Sequence, residues 1–261
     1  MSNVLIIGAT RGLGASLANN YASQESTTVY GTTRAATAPS NLNEKIVWIP
    51  NVDVAEDGVA RKLVNQIGTL VEGGRVTFDV VIIIAGYFAT EDFSNGPKWD
   101  EQVKMYTTSA ISSPFIVQSL FRAKNITKGF KILLISSESG SIALRHEKEG
   151  GGNYGHYASK SALNMVGKLL SLDLKEHGII VSILHPGFMR TEMTKGVGFD
   201  KYWDDGGAVT PDEAAESLVE WAEKLDISKS GQYWAPRGPR DIGTADVTIG
   251  TDLPTPLQLP W

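Results

Sequence analysis

The sequence predicts a single α/β domain built on buried strands, and three observations support this. With 261 residues, the chain is long enough to bury a sizeable core. Short apolar runs alternate with segments of helical period along most of the chain. The first run lies in VLIIGATRGLG (Val4–Gly14) and passes through three glycines into a helix. That pattern is typical of a strand leading into a dinucleotide-binding helix.

Each further strand is predicted from a short apolar run, and each helix from apolar residues at helical spacing. The predicted strands after the first are Thr28–Thr33, Lys45–Pro50, Asp79–Ile84, Lys131–Ser137, Ile179–Leu184 and Gly231–Ala235. The predicted helices include Ala55–Val71, Trp99 to about Lys124 with a break near Pro114, a long helix through Lys160, and one that begins at Pro211. The long helix is apolar enough to lie in the core or to form a dimer.

Composition excludes several classes of function. The net charge is −5 without a run of like charge, which argues against nucleic acid or a membrane surface as the main partner. The chain has no cysteine, which excludes disulfides and thiolate metal sites and fits a reducing compartment. The first strand starts within three residues of Met1, and runs such as Val80–Ala85 are too short to span a bilayer. We therefore expect a soluble, cytoplasmic protein with no metal site.

The glycine turn predicts a phosphate-binding site. Gly8 permits a tight turn off the strand, Gly12 lets backbone amides approach a pyrophosphate, and Gly14 lets the helix pack closely on the sheet. The phosphates would lie over Gly12–Gly14, at the positive end of the helix dipole. A glycine triplet also occurs in ordinary strand-to-helix loops, which is the alternative interpretation.

The end of the second strand indicates which dinucleotide binds. NAD-binding folds usually place an acidic residue about twenty positions after the turn, where it accepts from the ribose 2′-hydroxyl. Here that place holds Thr32, Thr33 and Arg34. The guanidinium of Arg34 can bind a 2′-phosphate, and Arg11 inside the turn is a second candidate. The sequence therefore predicts NADP(H), unless both arginines are merely solvated surface charges.

Five motifs occur in the order found in the short-chain dehydrogenase/reductase family, and residues 3–235 resemble that family. They are Gly-x-x-x-Gly-x-Gly at Gly8, Asp53-Val54, Ala85-Gly86, the serine segment Ser136–Gly140 with Ala158-Ser159-Lys160, and Pro186-Gly187 after the sixth strand. The loop Gly150–Tyr157 and the closing Pro-Leu-Gln-Leu-Pro-Trp resemble the C-factor-like branch. The resemblance implies a Rossmann-type doubly wound parallel sheet of about seven strands with helices on both faces.

The resemblance also implies which residues bind the cofactor. Asp53 and Val54 would lie against the adenine, Lys160 would bind the nicotinamide ribose, and the Pro186-Gly187 backbone would contact the carboxamide. The full set is Gly8, Thr10, Arg11, Gly12, Leu13, Gly14, Arg34, Asp53, Val54, Ala85, Gly86, Lys160, Pro186, Gly187 and Thr191. Two departures stand out: Ile83 and Ile84 replace the family's two asparagines, and Ser109 lies in the stretch that normally holds a third.

The catalytic residues implied by the resemblance include one anomaly. Ser137 matches the serine that hydrogen-bonds the substrate carbonyl, and Lys160 matches the lysine of Tyr-x-x-x-Lys, but the residue four before Lys160 is His156. Tyr157 lies three before it, rotated about 100° around the helix. Three readings stay open: Tyr157 donates the proton, His156 acts as a neutral hydrogen-bond donor, or the site has lost its acid.

The C-terminal third is predicted to close the domain, which then spans residues 1–261. Residues 192–208 read as a loop without a clear period, and the resemblance makes this loop an aromatic-rich lid that suits an apolar or aromatic ligand. The tail, residues 236–261, would pack on the lid, pack on a neighbouring subunit, or fray. His185, before the Pro-Gly loop, reads as structural.

Two functions compete at this point. The first is NADPH-dependent reduction of a ketone or aldehyde by hydride transfer, in a homodimer or homotetramer. The second is an NADP-binding relative without net redox chemistry, either an isomerase or cyclase or a cofactor-sensing protein, because the catalytic positions are altered.

Overall fold

The computed structural model describes residues 2–70 and 75–261. They form one α/β domain around an eight-stranded sheet of order β3-β2-β1-β4-β5-β6-β7-β8. The first seven strands are parallel, and only β8 is antiparallel to its neighbour. The strand order reverses between β1 and β4, so the predicted doubly wound fold is confirmed. The eighth strand comes from the tail.

The observed strands are shorter than most of the predicted ones. They are β1 Ser2–Ile7, β2 Thr27–Thr32, β3 Val47–Ile49, β4 Val80–Ile83, β5 Lys131–Ile135, β6 Ile180–Leu184, β7 Tyr233–Ala235 and β8 Leu257–Gln258. Several predicted strands extended one or two residues past the carboxyl end of the sheet, where the chain instead turns away. Among those residues, Ile84, Ser136 and Ser137 line the cavity described below.

Helices lie on both faces of the sheet. They are α1 Gly12–Ala22, α2 Val59–Thr69, α3 Trp99–Tyr106, α4 Ser112–Arg122, α5 Tyr154–Leu174, α6 Glu192–Gly196, α7 Pro211–Lys224 and α8 Ala245–Thr248. The predicted start of α2 at Ala55 is too early, because Gly58 adopts φ 79° and the helix begins after it. The predicted end at Val71 lies outside the described residues.

Alternate residues of β1 show how the sheet is buried on both faces. Leu5 and Ile7 pack with α2, α4 and α5 on one face, whereas Val4 and Ile6 pack with α1 and α7 on the other. All four side chains are buried. A parallel strand covered on both faces has an unbroken apolar sequence, which explains the run that the sequence analysis used.

The break that the sequence predicts near Pro114 lies just before that residue, between α3 and α4. A π-helical turn at Thr107–Ile111 separates the two helices, and Pro114 lies in the first turn of α4. A proline lacks the backbone N–H and crowds the carbonyl four residues earlier, here that of Ala110, which lies within the π-helical turn. The π-helical turn packs against α5 and buries Ser109.

The tail extends the domain's own sheet, which the sequence analysis did not predict. β8 pairs with β7, and Leu257 and Leu259 are buried. The ring of Trp261 stacks on Tyr233, with ring centroids 5.7 Å apart. The frayed alternative is therefore wrong, and the tail lies mainly on the sheet edge rather than on the lid.

Several helices expose apolar side chains, and two groups of these lie on α4 and α5. The first group is Ile111 and Phe115, at the end of the π-helical turn and the start of α4, and the second is Met165, Leu169 and Leu172 along α5. Their spacing places each set on one side of its helix. Within residues 2–70 and 75–261, no helix is both long and apolar enough to cross a membrane.

Candidate active site

One cavity of about 710 Å³ opens at the carboxyl end of the parallel strands. It lies where the strand order reverses, because Gly8 follows β1, Ala85 follows β4, and both line it. Its size suits a small-molecule site. All predicted site residues line it: Gly8, Thr10, Arg11, Gly12, Leu13, Gly14, Arg34, Asp53, Val54, Ala85, Gly86, Ser137, His156, Tyr157, Lys160, Pro186, Gly187 and Thr191.

The glycine turn is packed so tightly that two of its glycines cannot be replaced without movement. Gly8 has φ 100°, and a Cβ there would lie 2.8 Å from the backbone nitrogen of Ala85. A Cβ on Gly14 would lie 2.0 Å from the carbonyl oxygen of Gly8. A Cβ on Gly12 would have more room, because its nearest neighbour would be the methyl group of Thr191 at 3.6 Å.

The N-terminus of α1 fits an anion. Among the described residues, no side chain caps this end of the helix, and its first turn has no acidic residue. Its backbone N–H groups therefore face the cavity without a protein partner, at the positive end of the dipole. This open cradle between β1 and α1 is what a pyrophosphate requires.

The side of the cavity near β2 carries the residues predicted to bind the adenosine half. The hydroxyl of Thr32 accepts the N–H of Gly8 at 3.0 Å, which joins the end of β2 to the turn. The Asp53 carboxylate accepts the N–H of Ala55 at 3.0 Å and so is held by its own loop. Arg11 and Arg34 are exposed at the rim of the cavity.

Lys160 lies at the centre of the cavity and is buried. Its ammonium donates to the carbonyl oxygen of Ile135, at the end of β5, at 3.0 Å. A Cβ on Gly86 would lie 4.0 Å from the same nitrogen, so Lys160 bridges the ends of β4 and β5. Burial lowers the pKa of Lys160 to about 8, so the side chain is mostly charged at neutral pH.

His156 lies one helical turn before Lys160 and stacks on Phe88. The ring centroids are 4.0 Å apart and the planes are inclined by 25°. Burial, and then the charge of Lys160, lowers the pKa of His156 to about 3. The imidazole is therefore neutral at physiological pH. Within the described residues, its buried Nδ1 has no hydrogen-bond partner.

Tyr157 faces a different set of neighbours. The guanidinium of Arg145 lies 4.8 Å from the centre of its ring and also pairs with Glu138 and Glu149. Burial raises the pKa of Tyr157, and Glu138 raises it further against the opposing effect of Arg145. A phenol with a raised pKa is a weaker acid, so this environment does not activate Tyr157.

Ser137 follows β5 and begins a short 3₁₀ turn at Glu138–Gly140. Its hydroxyl oxygen accepts the N–H of Ser139 at 3.3 Å, while its carbonyl oxygen accepts the hydroxyl of Tyr233. The backbone of Ser137 is thus held from two sides. Because a hydroxyl that accepts still has its own proton, Ser137 can donate into the cavity.

The predicted lid, residues 192–208, contains regular structure that the sequence analysis did not predict. Thr191 caps α6, because its hydroxyl accepts the N–H of Thr194 at 3.2 Å. A 3₁₀ turn follows at Asp200–Tyr202. Of the lid aromatics, Phe199 and Tyr202 line the cavity. Trp203 packs instead beside Arg190, whose guanidinium lies 5.8 Å from the ring centre.

The cavity also contains residues that the sequence analysis missed. Tyr87 and Phe88 directly follow Ala85-Gly86, so their position in the sequence is enough to predict that they line the cavity. Asp241 reaches the cavity from the tail, and His185 reaches it from the end of β6. Nothing in the local sequence marks Asp241, because its neighbours come from a loop more than fifty residues earlier.

Comparison with known proteins agrees with this geometry. A family profile described as short chain dehydrogenase matches residues 2–201. The 1-hydroxy-2-glutathionyl-2-methyl-3-butene dehydrogenase of Rhodococcus sp. is 26% identical over 241 residues, which cover 89% of this chain and 96% of the relative. The C-signal protein of Myxococcus xanthus is 36% identical over 63 residues, 24% of this chain and 36% of that protein, which supports the C-factor-like branch.

Solved structures share the fold. The NADPH-bound carbonyl reductase from chicken fatty liver superposes with a TM-score of 0.77 at 22% identity, covering 90% of this chain and 91% of that one. The carbonyl reductase Sniffer of D. melanogaster gives a TM-score of 0.76 at 22% identity, with both chains fully covered. At these identities the likeness establishes the fold alone. Together with the family profile over residues 2–201, it identifies this chain as a short-chain dehydrogenase/reductase, an oxidoreductase family.

Proposed function

We propose that this protein is an NADPH-dependent reductase acting on a ketone or aldehyde of a small, apolar or aromatic molecule. One observation carries the proposal. A single cavity holds the open N-terminus of α1, the ammonium of Lys160, and two candidate hydrogen-bond donors, Ser137 and His156. These groups are what binding a dinucleotide and stabilising a reduced carbonyl oxygen require.

The cofactor proposal rests on charge. The place after β2 that would hold a carboxylate in an NAD-binding site holds Arg34, and Arg11 lies on the same rim. Two guanidinium groups at this rim would favour the extra phosphate of NADP(H). The chicken carbonyl reductase that shares the fold was solved with NADPH bound.

The chain's own residues would stabilise the oxygen of the substrate carbonyl. Bound NADPH would supply the hydride to the carbonyl carbon. Ser137 and the neutral imidazole of His156 would donate hydrogen bonds to the oxygen as negative charge develops, and the alkoxide would then take its proton from solvent through these donors. The Lys160 ammonium would favour that negative charge electrostatically, while burial, and then the ammonium itself, keeps His156 neutral. Neutral imidazole is an established type of donor to developing oxyanions.

His156 suits the donor role better than Tyr157. It follows the i, i+4 relation to Lys160, and the lysine charge acts on it. Tyr157 lies against Arg145, and its neighbours raise the pKa of its phenol. The phenol would therefore act in substrate binding.

The substrate class follows from the apolar part of the cavity. Phe88, Phe199 and Tyr202 line it, with Met193 beside them. Phe88 and Phe199 lie edge to face, with centroids 5.6 Å apart. Rings in this arrangement favour an apolar or aromatic ligand over a highly polar one.

A second candidate is a non-redox function, either an isomerase or cyclase or a cofactor-sensing protein. The observation that favours it is the absence of a tyrosine four residues before Lys160. Without an effective proton donor, the cavity would still bind NADP(H) but would not reduce a carbonyl substrate.

We also propose that the protein is a homo-oligomer assembled through α4 and α5. Phe115, Met165, Leu169 and Leu172 expose apolar surface on these helices. Exposed apolar stripes of this kind mark protein contacts more often than solvent-facing surface. The cytoplasmic location stays a prediction.

The donor assignment is tested by turnover. We expect NADPH to be consumed in the presence of at least one member of a panel of aromatic and aliphatic ketones and aldehydes. His156→Phe, which keeps the stack on Phe88, should lower kcat by about 10²–10⁴-fold while NADPH affinity is kept. Tyr157→Phe should change kcat by less than about tenfold.

The opposite result, loss of turnover in Tyr157→Phe alone, would assign the donor to Tyr157. Tight NADPH binding by the wild type without consumption on any substrate would favour the non-redox candidate. The assay should then be followed by a search for isomerised or cyclised products.

Stability against acid tests the neutral state of His156. The pKa of this group in the folded protein, about 3, lies below its ordinary value of about 6.5. The unfolded chain therefore binds the proton more readily, so this contribution to stability is complete above about pH 6.5 and is lost as the pH falls towards 3. Between about pH 7.5 and pH 5, wild type should lose about 2 kcal/mol more unfolding free energy than His156→Phe. Urea unfolding measures both, and equal losses would show that His156 titrates normally.

Arg34 tests cofactor selectivity. Arg34→Ala should weaken NADPH binding by about tenfold or more, because a charge-assisted contact to the 2′-phosphate is lost, and should leave NADH affinity within about twofold. The matched control is Arg61→Ala, since Arg61 is an exposed arginine on α2 outside the cavity. Calorimetric titration measures both cofactors. Equal weakening for NADPH and NADH would contradict the assignment.

Leu169 tests the assembly. Its side chain is 52% exposed on α5, and Leu169→Glu would place a charge in an apolar contact. We expect this variant to sediment as a smaller species than the wild type. Ile227→Glu is the control, because Ile227 is 50% exposed on a 3₁₀ turn outside α4 and α5. A monomeric wild type, or an unchanged Leu169→Glu, would refute the proposed interface.

A further inference from the structure

His185 joins the catalytic serine segment to the loop after β6. It is 5% exposed, and its Nδ1 accepts the N–H of Glu138, the residue after Ser137, at 3.0 Å. Because Nδ1 accepts, the proton of the neutral ring lies on Nε2. That nitrogen points towards the carboxylate of Asp241, with 3.7 Å between Nε2 and Oδ1.

Asp241 comes from the tail and holds the same loop from the other side. Its side chain is 0% exposed, and its Oδ2 accepts the N–H of Phe188 at 2.6 Å. The loop is pressed against this carboxylate, since a Cβ on Gly187 would lie 2.7 Å from Oδ2. The guanidinium Nε of Arg237 lies 3.9 Å from the same oxygen.

The carboxylate is held in its charged form although it is buried. Burial alone raises the pKa of Asp241, but His185, the N–H of Phe188 and Arg237 more than offset this, so the net shift is downwards. Within residues 2–70 and 75–261, His185 Nε2 and Asp241 Oδ1 have no hydrogen-bond partner. The two atoms face each other at 3.7 Å, so the ring and the carboxylate lie side by side without a direct hydrogen bond.

We propose that Asp241 and His185 are positioning residues that fix the loop Pro186–Phe188 relative to Ser137, so that the C-terminal tail completes the nicotinamide end of the cofactor site. The inference rests on the proposed function, because it assumes that this loop meets the nicotinamide. Neither residue touches the reacting atoms. They act through the backbone that Phe188 and Glu138 present to the cavity.

The effect should be confined to one half of the cofactor. β6, which precedes His185, is four strands from β2, which precedes Arg34. At the usual strand spacing this is on the order of 19 Å. A ligand that consists only of the adenosine half, 2′,5′-ADP, therefore occupies the cavity without meeting the loop that Asp241 holds. A general loss of folding would instead weaken the binding of both NADPH and 2′,5′-ADP.

Binding of these two probes to the purified full chain tests the proposal. Asp241→Ala should raise the Kd of NADPH by about tenfold or more and leave the Kd of 2′,5′-ADP within about twofold. Asp241→Asn keeps an oxygen that can accept from Phe188 and should give a smaller loss, about threefold. The control is Asp246→Ala, because Asp246 is an exposed acidic residue of the same tail and should change neither Kd.

Variants of His185 test the coupling itself. His185→Ala should weaken NADPH binding selectively, and the loss in the double variant His185→Ala/Asp241→Ala should differ from the sum of the two single losses, because both residues hold the same loop, one through Glu138 and the other through Phe188. His185→Asn, which can still accept from Glu138, should lie between the wild type and His185→Ala.

Three results would overturn the proposal: unchanged NADPH affinity in folded Asp241→Asn and Asp241→Ala, equal weakening of NADPH and 2′,5′-ADP, or additive losses in the double variant. Thermal melting of each variant shows which variants are folded. If Asp241→Ala does not fold, Asp241→Asn alone tests the role of Asp241. If the wild type binds neither probe, the proposed function fails as well. If the wild type binds both probes and the variants behave like it, only the coupling fails.

Discussion

The close approach of α1 to the end of β1 is the constraint on which the rest of the structure depends. Gly14 lies so near the carbonyl oxygen of Gly8 that a methyl group there would overlap it. This contact aims the positive end of α1 at the carboxyl edge of the sheet. Every other functional group reaches the same edge because the first seven strands are parallel and end there. A wider turn would leave the cavity without its anion-binding end.

The chemistry of the site depends on one buried charge. Lys160 is held under the cavity by the carbonyl oxygen of Ile135, and its charge opposes a second cation nearby. Burial, and then this charge, keeps His156 in the adjacent turn of α5 neutral. An imidazole here lacks the phenol that a lysine can turn into a stronger acid. In the proposed reduction it would still donate a hydrogen bond to the developing negative charge.

The sequence predicted what short stretches determine and missed what distant contacts decide. The strands, the glycine turn and the Pro-Gly loop depend on local patterns, and the glycines of the turn together with Pro186 and Gly187 line the cavity. The choice between His156 and Tyr157 could not be made from spacing, because residues three and four before Lys160 both lie near its face of the helix. The tertiary neighbours distinguish them: Phe88 stacks on one ring and Arg145 covers the other. Both neighbours lie outside α5, so no periodicity in the helix could reveal them.

The tail shows why the missed part matters for function. Its last residues form β8, which pairs with β7, and Trp261 stacks on Tyr233 in β7. The hydroxyl of Tyr233 in turn donates to the carbonyl oxygen of Ser137. The tail thus meets the serine segment through β7 and meets the Pro186–Phe188 loop through Asp241. A segment that the sequence analysis left outside the predicted site therefore supports both the serine segment and the Pro186–Phe188 loop, and the order of the tail and the geometry of these two stretches depend on the same contacts.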